Sequence, residues 1–409
     1  MTYSINDLLS EQARIDPYPI YADLRERDEG VHFLAPLNIW IAFRYEDVMR
    51  LARERQLWSS DLFVEGTGFA TYDKADPVHA RYAEVASRNL MINDPPDHTR
   101  LRALLQHAFA GKATRMWDSA IQAAVDEVLD PIAPGSEIEF MSQIAEVIPV
   151  WVISRLIGVP IADREHFRRL SVAFTETFDP TVQGERRDAA IHASVELFDY
   201  VRDLAVDRSR ATGDDLLSTL INAEEDGQKL SMDELIASVC MLLVAGNETT
   251  ADLIATGLAQ LMAHPDEFAA LRADHDLIPS ALLEILRYEA PIHFAPRIAA
   301  EDVELGGQAI AKGTNVFFCH GAANRDPRVF DNPDTFDIRR NDKRHLAFAT
   351  GAHFCIGNSL ALKEGELFFR SFLHRYGEIT PTKPAELRTD RFFQHGYATV
   401  PVLLGANGS

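Results

Sequence analysis

The sequence contains few cysteines and comparatively few basic residues. Its three cysteines, Cys240, Cys319 and Cys355, lie far apart and form no C-x-x-C pair. Neither a disulfide framework nor a zinc cluster is indicated, and a reducing cytoplasm is the location that fits best. Acidic residues outnumber basic ones by 62 to 40, and the resulting net charge of -22 would repel nucleic acids and anionic membranes. We therefore expect no nucleic-acid partner.

Long apolar runs, repeats and linkers are also absent from the sequence. The longest apolar run, Ile236 to Gly246, is much shorter than the roughly 20 residues that span a bilayer, and the N-terminal stretch has no signal-peptide core. We expect neither export nor a membrane anchor. With 409 residues, 46% of them hydrophobic, and no Pro/Gly/Ser-rich boundary, the chain is predicted to form one globular domain over residues 1–409.

Helical periodicity dominates the chain, and strand-like stretches are shorter and fewer. Apolar residues recur three or four positions apart in Asp97 to Ala110, Ala120 to Leu129, Arg186 to Arg210, Ser231 to Ala263, Pro279 to Tyr288 and Asn358 to Arg375. Strands are predicted in His32 to Ala42, Ala299 to Ala311, Asn315 to Cys319 and Thr399 to Leu404. These patterns predict a mainly α fold with small peripheral β-sheets.

The helix that follows Ser231 breaks local rules near its middle. Ser231 and Glu234 form a capping box, and the apolar pattern then continues for about thirty residues. Ala245 and Gly246 would let a ligand approach the backbone, although a mid-helix glycine costs roughly 1 kcal/mol relative to alanine. Glu248 and Thr249 add a carboxylate and a hydroxyl directly after this apolar stretch. The alternative is ordinary helix packing, with Glu248 pointing to solvent.

A second unusual segment, Phe348 to Gly357, surrounds a cysteine. Gly351 and Gly357 bracket Cys355, and a helical pattern starts immediately afterwards. The N-terminal end of a helix carries a partial positive charge that favours a thiolate. This arrangement suits an anionic sulfur ligand, and the alternative is a buried, inert cysteine.

These segments together resemble the cytochrome P450 family in its soluble bacterial form, over essentially the whole chain. Phe348, Gly351, His353, Cys355 and Gly357 match the specific haem-loop pattern F-x-x-G-x-H-x-C-x-G. Ala245-Gly246-x-Glu248-Thr249-Thr250 matches A-G-x-[DE]-T-T, Glu284 and Arg287 match E-x-x-R, and Asp94 to Arg102 resembles D-P-P-x-H-x-x-x-R. The resemblance implies the cytochrome P450 fold.

The resemblance also implies a cofactor, haem b (iron protoporphyrin IX), and a role for each matching residue. Cys355 would be the iron ligand, and the further cofactor-binding residues would be Phe348, Gly351, His353 and Gly357 of its loop and Ala245 and Gly246 of the long helix. Glu248 and Thr249 would be the catalytic pair that handles protons, beside Ala245 and Gly246. The cations expected to bind the haem propionates are His98, Arg102, Arg297 and His353.

A structural ion pair is implied by the resemblance for Glu284 and Arg287. Thr335 stands where many relatives carry an arginine that completes this network, so the third arm of the network is in question at that position.

The implied reaction is reductive activation of O2 and insertion of one oxygen atom into a hydrophobic small molecule. Electrons would come from a ferredoxin and its NAD(P)H-dependent reductase, with Lys112, Arg344 and Lys363 as docking candidates. The segments expected to line the substrate pocket are Phe63 to Tyr72, Phe174 to Asp179, Leu242 and Ala245, Ile292 to Ala295, and Phe392 to Phe393, with His293, Gln394 and His395 able to orient a polar group. Two alternatives are a peroxide-driven peroxygenase and a non-catalytic haem-thiolate sensor.

Overall fold

The structure, a computed structural model, describes residues 2–54, 56–61, 72–109, 112–179, 181–209 and 215–406. Helices predominate in this part of the chain, as the periodicity predicted. Their bounds are α1 Glu11–Ile15, α2 Tyr18–Glu26, α3 Tyr45–Arg53, α4 Pro77–Ala86, α5 Asp97–Ala108, α6 Lys112–Leu129, α7 Val147–Ile157, α8 Arg164–Glu176, α9 Gly184–Ser209, α10 Leu216–Asn222, α11 Met232–Ala263, α12 Pro265–Ala273, α13 Ile278–Tyr288, α14 His320–Ala323 and α15 Asn358–Arg375.

The strands are short and belong to small sheets. Their bounds are β1 Val31–Leu34, β2 Ile39–Ala42, β3 Trp58–Ser59, β4 Glu137–Glu139, β5 Phe294–Ala299, β6 Val303–Leu305, β7 Gln308–Ile310, β8 Asn315–Cys319, β9 Tyr376–Pro381, β10 Glu386–Leu387, β11 Tyr397–Thr399 and β12 Pro401–Ala406. A five-stranded sheet has the order β1-β2-β8-β5-β3, a three-stranded sheet has the order β4-β12-β9, and β6-β7 and β10-β11 form hairpins.

The described residues form two compact units that alternate along the chain. One takes in Met1–Trp58, Gln122–Ile148 and Thr249–Ser409, and the other takes in Ser59–Ile121 and Pro149–Glu248. No single cut in the sequence separates the two units. The expectation of one domain over the whole chain therefore remains compatible with this division and stays a prediction.

The first unit contains the sheets. In the five-stranded sheet β2 and β8 are parallel, while β1 with β2 and β5 with β8 are antiparallel. All five residues of β8 are buried, and Val316 and Phe318 pack into a core with Val48 of α3 and Leu346. The turn between β6 and β7 uses Gly306 and Gly307, both at positive φ, which is the backbone that a tight hairpin of this hand requires.

The second unit is built mainly from helices. Here α9 packs against α8, α4 and α10, and α10 also packs against α5. The aromatic residues Phe174 of α8 and Phe198 of α9 meet edge to face, with ring centroids 5.5 Å apart. Both are buried, so this pair forms part of the helical core.

The long helix α11 begins as its capping box predicted. The Ser231 backbone N–H donates to Glu234 Oε2 at 2.8 Å, and the Glu234 N–H donates to Ser231 Oγ at 3.3 Å. The helix ends at Ala263, just before the His264-Pro265 pair, and Pro265 opens α12. Among the described residues, none of the helices combines the length and apolar character needed to cross a membrane.

Candidate functional site

The loop that carries Cys355 is closed by its own backbone. The Cys355 N–H donates to the Phe348 carbonyl at 2.9 Å, so residues 348–355 form a closed loop. Gly351 has a φ of +73°, and a Cβ added there would lie 2.5 Å from the Ala52 carbonyl oxygen. A side chain at this position would both strain the backbone and collide with the end of α3. The glycine is thus needed for the loop's shape.

Cys355 lies three residues before the start of α15. The Asn358 side-chain amide donates to the Cys355 carbonyl at 2.7 Å, which joins the loop to the first residue of the helix. A Cβ added at Gly357 would lie 4.0 Å from Cys355 Sγ, an ordinary contact distance, so position 357 does not crowd the sulfur. The positive end of the helix dipole and its outward N–H groups favour the anionic form of a nearby sulfur.

The other two cysteines have different surroundings. Cys240 and Cys319 are fully buried, whereas Cys355 is partly accessible. Burial raises the pKa of the Cys240 thiol well above its ordinary value and raises that of Cys319 to about 12. Both should therefore stay protonated, Cys240 as a small apolar residue and Cys319 with its sulfur accepting the Ala322 N–H at 3.4 Å at the start of α14. Cys355 is the cysteine suited to bind a metal ion.

One face of α11 is open in the middle of the helix. Ala245 is exposed although it lies at the centre of a 32-residue helix, and a Cβ added at Gly246 would meet nothing within 4 Å. Leu242 and Thr249, one turn away on either side, are half-buried. The backbone of α11 is therefore accessible on this face.

The acidic residue next to Thr249 does not point to solvent. Glu248 is only 8% exposed, and Asn247 before it is buried as well. The alternative in which Glu248 lies on a solvated face is therefore wrong. The structure places Ala245, Gly246, Glu248 and Thr249 on two consecutive turns of one helix.

The cations predicted for the haem propionates lie on three separate elements. His98 is buried on α5, with Arg102 half-buried one turn later. Arg297 of β5 is 8% exposed, lies over the Phe318 ring at 5.0 Å and donates to the Pro296 carbonyl at 2.7 Å. His353 is half-buried in the cysteine loop. Their burial would strengthen any charge-assisted hydrogen bond that they make to an anion.

The Glu284–Arg287 pair forms the buried network predicted for it. Arg287 Nε and Nη2 donate to the two Glu284 carboxylate oxygens, each at 2.8 Å, and both side chains are almost completely buried. Arg287 also donates to the carbonyls of Asn324, Pro333 and Thr335 at 3.0, 2.8 and 3.2 Å. The pair ties α13 to the segment that precedes the cysteine loop.

The third arm of this network, in question at Thr335, comes from Arg340. Arg340 Nε lies 3.2 Å from Glu284, and its Nη2 donates to the Thr335 carbonyl at 3.1 Å. Thr335 takes part through its backbone, so a threonine is tolerated there. Sequence spacing did not identify Arg340. Its guanidinium also donates to the Asp331 and Asn332 carbonyls, and the turn that these bonds close brings Arg340 to Glu284.

The polar residues predicted to orient a substrate are engaged elsewhere. His395 Nε2 lies 2.8 Å from the Glu289 carboxylate, and the His293 ring stacks on His395 and bonds to the Tyr21 hydroxyl at 3.0 Å. Burial, then His395 and Arg325, hold the pKa of His293 well below its ordinary value. Burial alone would raise the pKa of Glu289, but His395 and Arg325 hold it below its usual range. These groups form a buried network of their own.

The predicted pocket walls are placed in part. Ile292 and Ala295 are half-buried, but Phe294 is buried and stacks on Phe392 with ring centroids 4.8 Å apart. Phe393 is half-buried, and Gln394 is buried and accepts a hydrogen bond from Arg391 at 3.1 Å. Phe174 belongs to the helical core rather than to a pocket wall. Phe63 to Tyr72, apart from Tyr72, lies outside the described residues.

The three basic docking candidates differ in what surrounds them. Arg344 is exposed and pairs with Asp342 at 2.6 Å. Lys363 on α15 pairs with Glu366 at 3.5 Å. The side chain of Lys112 lies outside the described residues.

Comparison with known proteins decides the family. The cytochrome P450 family model matches residues 138–395. The chain belongs to the cytochrome P450 family. Three relatives have similar lengths: cytochrome P450 107B1 of Saccharopolyspora erythraea is 35% identical over 405 residues, covering 96% of each chain. PikC, a cytochrome P450 monooxygenase of Streptomyces venezuelae, is 36% identical (93% of this chain, 88% of PikC), and 6-deoxyerythronolide B hydroxylase of S. erythraea is 35% identical (92% and 93%).

Solved structures agree with this assignment. The crystal structure of P450BioI in complex with hexadec-9Z-enoic acid ligated acyl carrier protein superposes with a TM-score of 0.88 at 29% identity, covering 96% of this chain and 99% of the other. The fold predicted from the motifs is confirmed. This cytochrome P450 is a monooxygenase by family, and its family implies a haem cofactor.

Proposed function

We propose that this cytochrome P450 inserts one oxygen atom from O2 into a hydrophobic small molecule, with electrons that a ferredoxin delivers singly. The observation that carries the proposal is the partly accessible Cys355 just before α15, in a chain whose α11 has an open face at Ala245 and Gly246. A thiolate ligand favours O–O cleavage, and the resemblance assigns the proton-handling pair Glu248 and Thr249 to the turn of α11 beside this open face.

The residues present fit haem b. Cys355 would bind the iron, and Gly351 lets its loop lie close to α3. The resemblance assigns Ala245 and Gly246 of α11 to the cofactor as well. Buried or half-buried cations at His98, Arg102, Arg297 and His353 would bind the two propionates. When bound, the haem supplies the reductive activation of O2, and the thiolate favours O–O cleavage.

Glu248 and Thr249 would handle the protons that O–O cleavage consumes. An apolar pocket excludes the bulk water that could otherwise supply these protons. The Thr249 hydroxyl can both accept and donate hydrogen bonds, and it is half-buried beside the open face at Gly246. Glu248 is adjacent and buried, so it would exchange protons with solvent by rotating its side chain.

The substrate class follows from the partly accessible residues that the resemblance assigns to the pocket. Ile292, Ala295 and Phe393 are apolar, and the nearby histidines are occupied in their own network. The relatives support a hydrophobic compound: one is named as a hydroxylase of 6-deoxyerythronolide B, and the P450BioI complex holds a hexadecenoic acid ligated to a carrier protein. Titration of the ferric protein with apolar compounds, followed by the Soret shift as axial water leaves, identifies the ligand.

The electron source that we propose is a cytoplasmic ferredoxin with an NAD(P)H-dependent reductase. Arg344 and Lys363 offer exposed or half-exposed cations for an acidic ferredoxin, although each already pairs with a neighbouring carboxylate. A peroxide-driven reaction is the alternative, which the presence of the acid–alcohol pair Glu248 and Thr249 disfavours. Product formation that requires NAD(P)H, ferredoxin and reductase, and that catalase does not suppress, would support the proposal over this alternative.

Thr249→Ala tests the proton role directly. We expect this variant to keep its fold, its haem spectrum and its affinity for the substrate found by titration, because the change removes few atoms. NAD(P)H consumption should continue while product falls roughly tenfold or more and hydrogen peroxide rises, since one positioned proton donor contributes at least that much. The measurement is the ratio of product and peroxide to NAD(P)H consumed.

Thr250→Ala is the matched control, because Thr250 is buried on the same turn. It should leave the coupling ratio unchanged. Unchanged coupling in Thr249→Ala would show that this turn serves packing, or that the substrate supplies the hydroxyl. Glu248→Gln should instead slow NAD(P)H consumption and product formation together, because proton entry becomes limiting.

A further inference from the structure

A second carboxylate on α11 lies one turn beyond the proposed proton pair. Asp252 follows Glu248 by four residues and Thr249 by three, so it lies on the same side of the helix. Its side chain is 0% exposed, and it forms an ion pair with Arg388, whose side chain is 17% exposed. A buried carboxylate at this level of α11 is costly unless a cation accompanies it. Its partner comes from a distant part of the chain.

The ion pair packs directly against the backbone of Gly396. A Cβ added at Gly396 would lie 2.5 Å from Asp252 Cγ and 2.7 Å from Arg388 Nη2, closer than real Cβ atoms approach other atoms. The Arg388 N–H also donates to the Gly396 carbonyl at 2.9 Å. The Arg388 side chain and the Gly396 backbone, the two ends of segment 388–396, are therefore both held against Asp252 of α11.

The middle of this segment is joined to a predicted pocket wall. The His293 N–H donates to the Phe393 carbonyl at 2.8 Å, and the His395 N–H donates to the Pro291 carbonyl at 2.9 Å. Between them, Ile292 and Gln394 form an isolated β-bridge. The half-buried side chains of Phe393 and Ile292 thus move together if segment 388–396 moves.

We propose that the Asp252–Arg388 ion pair is a positioning element that fixes Phe393 and Ile292 relative to Thr249, and so sets how deep the substrate pocket is. Neither residue need touch the substrate. The Asp252–Arg388 ion pair links the turn of α11 that carries Thr249 to the apolar wall formed by Phe393 and Ile292. The pair would therefore determine which part of an elongated apolar molecule can reach Thr249. The inference rests on the proposed function, because it takes this wall to line the substrate pocket.

Two probes of different size separate this role from a purely structural one. Imidazole needs space only beside the iron, whereas 4-phenylimidazole also places a phenyl ring against the pocket wall. Spectral titration of the ferric protein gives the Kd of each. In Arg388→Ala we expect the imidazole Kd to stay unchanged. The ratio of the 4-phenylimidazole Kd to the imidazole Kd should change by about fivefold or more, which is the size of effect that the loss of one interaction between coupled residues produces.

Three further variants make the test specific. Phe393→Ala should change the same ratio, and its effect should not add to that of Arg388→Ala, because both act through the same wall. Arg388→Lys keeps the charge and should restore the ratio in part. Asp326→Asn is the matched control: Asp326 is also a buried carboxylate with an arginine partner, Arg328 at 3.2 Å, but it holds the start of α3 through the Tyr45 N–H. This control should leave the ratio unchanged.

The outcomes distinguish this inference from the proposed function. Absence of an imidazole-induced Soret shift in the unmodified protein would overturn both. A normal shift with an unchanged ratio in Arg388→Ala would overturn only the positioning role. If Arg388→Ala fails to fold, the neutral pair Asp252→Asn/Arg388→Gln replaces it. Loss of haem in that variant as well would assign the ion pair to folding and overturn the inference.

Discussion

Replacing Cys355 with serine should abolish the red-shifted Soret band that thiolate-ligated haem shows when reduced and exposed to CO. Serine keeps the size of the side chain but removes the thiolate, since its hydroxyl does not ionise under ordinary conditions and is a poor iron ligand. The loop itself should persist, because the bond from the residue 355 N–H to the Phe348 carbonyl uses only backbone atoms. The measurement is the reduced-CO difference spectrum, normalised to bound haem.

The other cysteines provide the controls for this experiment. Cys240→Ser places a hydroxyl in a buried apolar site, so it should lower the free energy of unfolding by about 1–3 kcal/mol while keeping the band. Cys319→Ser should cost less and also keep the band, because the Cys319 sulfur accepts the Ala322 N–H at the start of α14 and a serine hydroxyl can do the same. Loss of the band in either control, with Cys355→Ser unaffected, would contradict the assignment of the iron ligand. Equal loss in all three would indicate general unfolding, which circular dichroism would detect.

Elements with a strong local signal could be predicted closely from the sequence. Both bounds of α15 and of β8 agree with the prediction from their apolar patterns. The capping box at Ser231 predicted the start of α11 to within one residue. The Cys355 loop could be found because glycine is required where φ is positive and the backbone of α3 is close, so Gly351 is a physical constraint visible in the sequence.

Contacts between distant segments could not be predicted in this way. His293 and His395 looked available for a substrate because they stand beside apolar pocket candidates. Successive residues of an extended segment face opposite sides, so His293 faces away from Ile292, but spacing alone says nothing of where the His395 ring lies. The structure turns both rings towards Glu289 and Tyr21. Arg340 and the Asp252–Arg388 pair share this reason, since 56 and 136 residues of chain separate the partners and no spacing rule spans such distances.

Removal of the Arg287 side chain should leave little folded, haem-loaded protein. In Arg287→Ala, the buried Glu284 carboxylate loses both of its 2.8 Å partners, and three backbone carbonyls lose a donor. Breaking a buried pair in this way costs about 3–5 kcal/mol, a large part of the roughly 5–15 kcal/mol that stabilises a folded protein. Arg340 compensates only in part, because it reaches Glu284 with a single Nε bond and uses its other donors on carbonyls.

Arg287→Lys should be intermediate, since an ammonium cannot make the paired bonds of a guanidinium. Arg375→Ala is the matched control: its partners, Asp126 and Asp130, are partly exposed, so its loss should cost about 1 kcal/mol or less. Haem content per protein and the midpoint of thermal unfolding measure the effect, and a haem-loaded Arg287→Ala that unfolds at the normal temperature would contradict a structural role for this pair.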